Sequence, residues 1–136
     1  MTDKGYEELK KLQEQYVEDV SINMMNIEDK AMLAPTIKAH WTGELYTHRH
    51  QLDKLEKDLI KLRHADELVI RKNMKVQLTD DEVKKFRSTN NKKIEDAQDG
   101  INDLKEIIAI LKDFQKLSAF YSNDVKNVLD YMRLNV

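Results

Sequence analysis

The chain has 136 residues, with 23 Lys and Arg against 25 Asp and Glu and no cysteine, a length that supports one domain and a composition that excludes a disulfide framework or thiolate catalysis. Three glycines and one proline supply too few special backbone conformations for a many-stranded fold, and 35% charged residues with 7% aromatics suit long, thin helices. The N-terminal MTDKGYEELKK lacks an apolar signal core and no run approaches the roughly 18 apolar residues of a membrane span, so a soluble, unprocessed protein without membrane contact is expected.

In residues 1–34, Tyr6, Leu9, Leu12, Gln13 and Tyr16 share one face of a short amphipathic helix, and VSINMMNI follows as an extended or turning connector. Trp41, Leu45, Leu52, Leu55, Leu59, Leu62 and Val69, with His48 and Asp66 as polar occupants, step by threes and fours and predict a long helix over 35–72. Pro35 suits its first position, because a fixed φ and a missing N–H cost nothing there. Gly43 inside it bends the helix or admits a close neighbour.

Residues 73–79 break the pattern as a tip loop, and Thr79-Asp80-Asp81-Glu82 reads as a capping box that opens a second long helix over 80–117. Its seam runs through Ile94, Ala97, Ile101, Leu104, Ile108 and Leu111, widened by Ile107, Ile110, Phe114 and Leu117. Ser122-Asn123-Asp124 offers a break and recap, so residues 118–136 read as a short C-terminal helix with Val125, Val128, Leu129 and Met132 on one face. The expected architecture is all-α: a long antiparallel helical hairpin with short N- and C-terminal helices. Its stripes exceed what one chain can bury, which predicts self-association, and the two short terminal helices are expected to dock either on the hairpin or on another subunit.

Charge is segregated along the chain. Residues 54–93 carry twelve Lys and Arg against seven Asp and Glu, whereas residues 1–31 carry four against eight and residues 94–136 five against eight. The basic zone falls at the hairpin tip, where repeated phosphate contacts would bind nucleic acid. Lys61, Arg63, His64, Arg71, Lys72 and Lys75 are the first candidates, with Lys84, Lys85 and Arg87 behind them. The opposing reading is a solvated helix face, since Asp58, Asp66 and Glu67 interleave with the cations. Base-stacking aromatics are sparse there, Phe86 and Tyr46 apart.

His40, Glu44 and His48 share a helix face, but the chain has no matching second carboxylate–histidine motif, so His48 reads as a polar seam residue and no metal or other cofactor is expected. No Ser or Thr sits in a glycine-rich elbow and no phosphate-cradling loop occurs, so no catalytic residues are assigned and an enzyme is not expected.

The stretch LQEQYVEDVSI resembles the N-terminal segment of UvsY-type phage recombination mediators, with Leu12, Gln13, Glu14, Asp19, Val20 and Ile22 filling the pattern. Trp41 then falls on the aromatic that starts the family's long helix, Glu56 on its basic-apolar-Glu step, and VKNVLD, residues 125–130, on an apolar-Lys-x-apolar-x-acid segment. Two elements depart: the family's basic-x-basic element meets His64-Ala65-Asp66, and its arginine-plus-aromatic meets Tyr121 and Asn123. The resemblance implies a non-enzymatic, cyclic homo-oligomer that binds single-stranded DNA in the cytoplasm of an infected bacterium. It implies as partners a phage recombinase and the single-strand-binding protein that the recombinase must displace, and it ties the C-terminal region, with its face of Val125, Val128, Leu129 and Met132, to ring assembly. The alternative from the residues alone is a coiled-coil adaptor or assembly chaperone that ignores nucleic acid.

Overall fold

The computed structural model describes residues 1–23, 25–73 and 77–134, without the side chains of 86–90. It contains α1 (Asp3–Val20), α2 (Ile27–Asn73), α3 (Asp80–Asn90) and α4 (Lys92–Leu134), and no strand occurs among the described residues. At 1.5 Å per residue α2 is about 70 Å long and α4 about 65 Å. They run antiparallel: Asp66 of α2 meets Asn91 just before α4, and Trp41 meets Phe114. The expected all-α hairpin is therefore present. At its base, where α2 begins and α4 ends, α1 lies along both helices and completes a three-helix core.

Thr2 starts α1 by accepting the Gly5 amide on its hydroxyl, which satisfies one of the amides a helix N-terminus leaves open. The Thr2 amide and hydroxyl in turn donate to the buried carboxylate of Asp103. Gly5 lies against the same carboxylate, and a Cβ there would stand 2.6 Å from Asp103 Oδ2, so glycine is what lets α1 approach α4 this closely. At the other end Lys30 Nζ donates to the Glu18 and Asp19 carbonyls at 2.9 and 2.8 Å, closing the C-terminus of α1 with a cation where the helix dipole favours one.

The main core unites Leu9 and Leu12 with Trp41, Leu45, Leu111, Tyr121 and Val125. Tyr16 and Phe114 stack at 4.1 Å between ring centroids, and Trp41 meets both edge-on. Trp41 Nε1 donates to Asp19 Oδ2 at 3.1 Å. His48 is a buried seam residue: its Nδ1 bonds the Glu44 carbonyl at 2.8 Å and its Nε2 bonds Glu8 Oε1 at 3.1 Å, linking α1 to α2. Toward the tip the core narrows to Leu59, Ile94 and Ile101.

Several boundaries differ from the sequence reading. The long helix starts at Ile27 rather than Pro35, because Asn23 and Asn26 form a turn with reciprocal side-chain-to-amide bonds of 2.7 and 3.0 Å, and the Asn26 carbonyl accepts from Lys30 N. Pro35 thus sits inside α2 on its exposed side, where its missing N–H forgoes one helical bond. The seam ends at Asp66, since Val69 is exposed. Thr79 caps α3 as expected, accepting from the Glu82 amide at 3.3 Å, while the Glu82 carboxylate returns to the Thr79 hydroxyl.

The second long helix is not continuous from 80 to 117. It breaks at Asn91, whose side chain accepts from the Lys93 and Ile94 amides and donates to Asp66 Oδ1 at 2.8 Å. The break expected at Ser122–Asp124 is absent. Ser118, Tyr121 and Val125 keep the buried stripe in period across it, and Ser118 Oγ returns its hydrogen to the Gln115 carbonyl. The face of Val125, Val128, Leu129 and Met132 is consequently not orphaned. Val125 is 0% exposed inside its own chain, Leu129 and Met132 pack against the same core, and Val128 alone of the four is exposed.

Candidate nucleic-acid interface

The inward seam of α2 between Leu52 and Asp66 faces α4, so residues about half a turn away point outward. His50, Lys54, Lys57, Lys61, His64 and Lys72 fall on that outward face at steps of three and four, with Leu68 filling the remaining place, and all are exposed. No carboxylate lies within the stripe. Asp53 and Asp58 flank it, and Asp53 pairs with Lys57 at 3.0 Å in a fully solvated contact that is worth little. From Lys54 to Lys72 the stripe runs about 27 Å along the helix.

Only part of the sequence-predicted set joins it. Lys61, His64 and Lys72 lie on the stripe. Arg63 turns toward α4 and donates to Gln98 Oε1 at 3.1 Å. Arg71 is committed to the tip itself: its Nε meets Glu67 at 3.2 Å, one terminal nitrogen meets the Leu78 carbonyl at 2.9 Å, and the other meets Asp80 at 2.6 Å. That guanidinium closes the connection between α2 and α3. Lys84 and Lys85 lie exposed on α3. Lys75 and the side chain of Arg87 fall outside the described residues.

Arg63 and Lys84 line an open groove of about 460 Å³ with Asn91, Ile94, Glu95, Gln98 and Asp99. Its α4 wall carries two carboxylates, so the groove is mixed in charge and is no phosphate cradle. Asp66 stands behind this joint with Oδ2 buried and unpartnered among the described residues, which makes the position assigned to the basic-x-basic element a brace for Asn91. Sequence reasoning missed Lys54 and Lys57. Their signal was available: they step with Lys61 half a turn from the leucine seam.

His40, Glu44 and His48 form no centre. His40 Nε2 lies 3.1 Å from the Gln15 amide nitrogen, and both ring nitrogens of His48 are already bonded. Among the described residues no group of three or more His, Asp or Glu side chains gathers around a common point. Of the positions matched to the family pattern, Asp19 holds the Trp41 indole and Leu12, Val20 and Ile22 enter or flank the same core, whereas Gln13, Glu14 and Glu56 are exposed. Comparison with protein-family models, with curated sequences and with solved structures finds no match.

Proposed function

We propose that the chain is a single-stranded-DNA-binding recombination mediator of the UvsY kind, which holds the DNA backbone along α2 and promotes loading of a phage recombinase onto strands covered by single-strand-binding protein. The observation that carries this reading is the cation stripe from Lys54 to Lys72, bordered by Asp53 and Asp58. Lysines spaced at successive helical turns offer a row of point charges to a phosphate chain, and with few aromatics beside them the binding is electrostatic and indifferent to sequence. Repetition of the stripe around a homo-oligomer multiplies a weak contact. The role asks only for binding and assembly, so no catalytic group is assigned.

Anisotropy titration of a labelled oligothymidylate tests it. Binding at low salt should weaken with a log–log salt slope of roughly −3 for about four phosphate contacts per subunit. Lys54→Glu/Lys61→Glu/Lys72→Glu should abolish it while helicity persists. No affinity at low salt, or affinity indifferent to salt, refutes the proposal. A second reading, the coiled-coil adaptor, is favoured by the exposed Leu117, Phe120 and Val128 on α4, and it predicts that the triple reversal changes no partner binding.

A further inference from the structure

Lysines read charge and not strandedness. B-DNA carries one negative charge per about 1.7 Å of axis and each of its strands one per about 3.4 Å, so a row of cations alone does not choose a single strand over a duplex. What the duplex hides is the flat face of each nucleobase, and a site that selects single strands needs a group that meets that face. The α2 stripe supplies one. A step of four before His50 reaches Tyr46, which sets a phenol ring on the same outward face as Lys54, Lys57 and Lys61.

The surroundings of Tyr46 suit that use. Arg49, one turn on, places its guanidinium 5.9 Å from the Tyr46 ring centroid, within the roughly 6 Å of a cation–π contact. Arg49 is exposed and pairs with no carboxylate among the described residues, so it steadies the ring and adds a charge beside it. Tyr46 is 63% exposed, so most of the residue is still open to solvent with Arg49 in place. One turn earlier stands Gly43, where even a Cβ would meet nothing within 4 Å, so no side chain crowds the ring from that position. The other exposed aromatics among the described residues lie elsewhere, Tyr6 on α1 and Phe120 and Tyr131 on α4.

We infer that Tyr46, steadied by Arg49, is the stacking platform for an unpaired nucleobase of a strand whose phosphates lie on Lys54, Lys57 and Lys61, and that this ring makes the stripe prefer single-stranded to double-stranded DNA. The spacing suits such a strand: Tyr46 precedes Lys54 by about 12 Å along the helix axis, roughly three or four nucleotides at about 3.4 Å each. Stacking asks only for a π-face, so the platform adds affinity without reading sequence. It rests on the stripe being a DNA site, and it names the kind of strand that site takes.

The test is anisotropy titration of the full chain at one low salt concentration with labelled probes of equal length: an oligothymidylate, an abasic strand with the same phosphates, and a duplex. Wild type should bind oligothymidylate more tightly than either of the others. Tyr46→Ala should weaken oligothymidylate binding about 5- to 100-fold while leaving the abasic strand, the duplex and the salt slope as in wild type, since no phosphate contact is removed. Tyr46→Phe should bind as wild type does, because the ring stacks and the hydroxyl does not. Both variants should keep wild-type helicity by circular dichroism, as the exchanged side chain is exposed. Unchanged oligothymidylate binding by Tyr46→Ala, an equal loss on the abasic strand, or a Phe variant as weak as the Ala variant overturns the platform and leaves the cation stripe standing. So does equal wild-type affinity for oligothymidylate and the abasic strand, a comparison that needs no variant. Wild type that binds none of the three probes removes the DNA proposal and the platform with it.

Discussion

The base and the tip of one hairpin are built from the same two helices, yet they differ in what holds them. At the base a third helix lies along α2 and α4, and Trp41, Leu111 and Val125 are completely enclosed. At the tip α1 is absent, the core cluster shrinks to Leu59, Ile94 and Ile101 with Val83 of α3 enclosed nearby, and an acid occupies the seam at Asp66 with one oxygen unpartnered among the described residues. Sequence periodicity is similar in both halves. The difference comes from how much covers the seam: the eleven-residue α3 buries Val83 beside α2, whereas the longer α1 adds Leu9, Leu12 and Tyr16 and converts the stripe into an interior. Stability is therefore concentrated at the base, and the tip half is left to carry surface charge.

The largest test of this contrast is side-chain truncation. Trp41→Ala or Leu111→Ala should cost about 3–5 kcal/mol in urea unfolding, while Leu59→Ala at the tip should cost about 2 kcal/mol, because a thinner wall collapses more readily into the space left. Equal losses at Leu111 and Leu59 would break the comparison. Gly5→Ala should come next. Its Cβ would collide with Asp103 and push α1 off the base, at a cost of about 1–3 kcal/mol.

Alkaline titration sharpens the contrast, because both shifted phenols sit at the base. Burial pushes Tyr16 above its ordinary value near 10, and burial followed by the Asp19 carboxylate and then Tyr16 pushes Tyr121 the same way. A raised folded value means that the folded chain prefers the neutral phenol. The stabilisation is whole below about pH 10 and is lost as pH climbs through the higher folded values. The urea midpoint should hold to about pH 9 and fall beyond about pH 10, and Tyr121→Phe should flatten that fall. An unchanged fall in the Tyr121→Phe variant would place its origin elsewhere.

Much of the fold was legible because helix periodicity is local. The leucine seam, the tip near residue 79 and the Thr79 cap follow from residue spacing alone. What failed depends on partners distant in sequence. Pro35 resembled a helix start because nothing nearby disclosed the Asn23–Asn26 turn, and the orphan look of Val125, Leu129 and Met132 vanished only once the main core was seen to reach them. Gly5 gave no signal, since its reason is a carboxylate nearly a hundred residues away. In the candidate site, counting charge along the chain found the zone but mixed two populations. Arg63 and Arg71 are absorbed by Gln98, Glu67 and Asp80, whereas Lys54, Lys57, Lys61 and Lys72 share an outward face. Angular position around the helix separates them, and a linear window does not.

The smallest predicted effect compares two glycines that are alike in their own chain. Neither Gly43 on α2 nor Gly100 on α4 would place a Cβ within 4 Å of another group, and both lie inside helices. Each change to Ala should therefore stabilise the chain by about 0.5–1 kcal/mol in urea unfolding. Gly43 is exposed and Gly100 half-buried, yet the gain should be similar at both if helix propensity alone decides it. A loss at Gly43 would instead show that its surface position serves something other than the packing of its own chain.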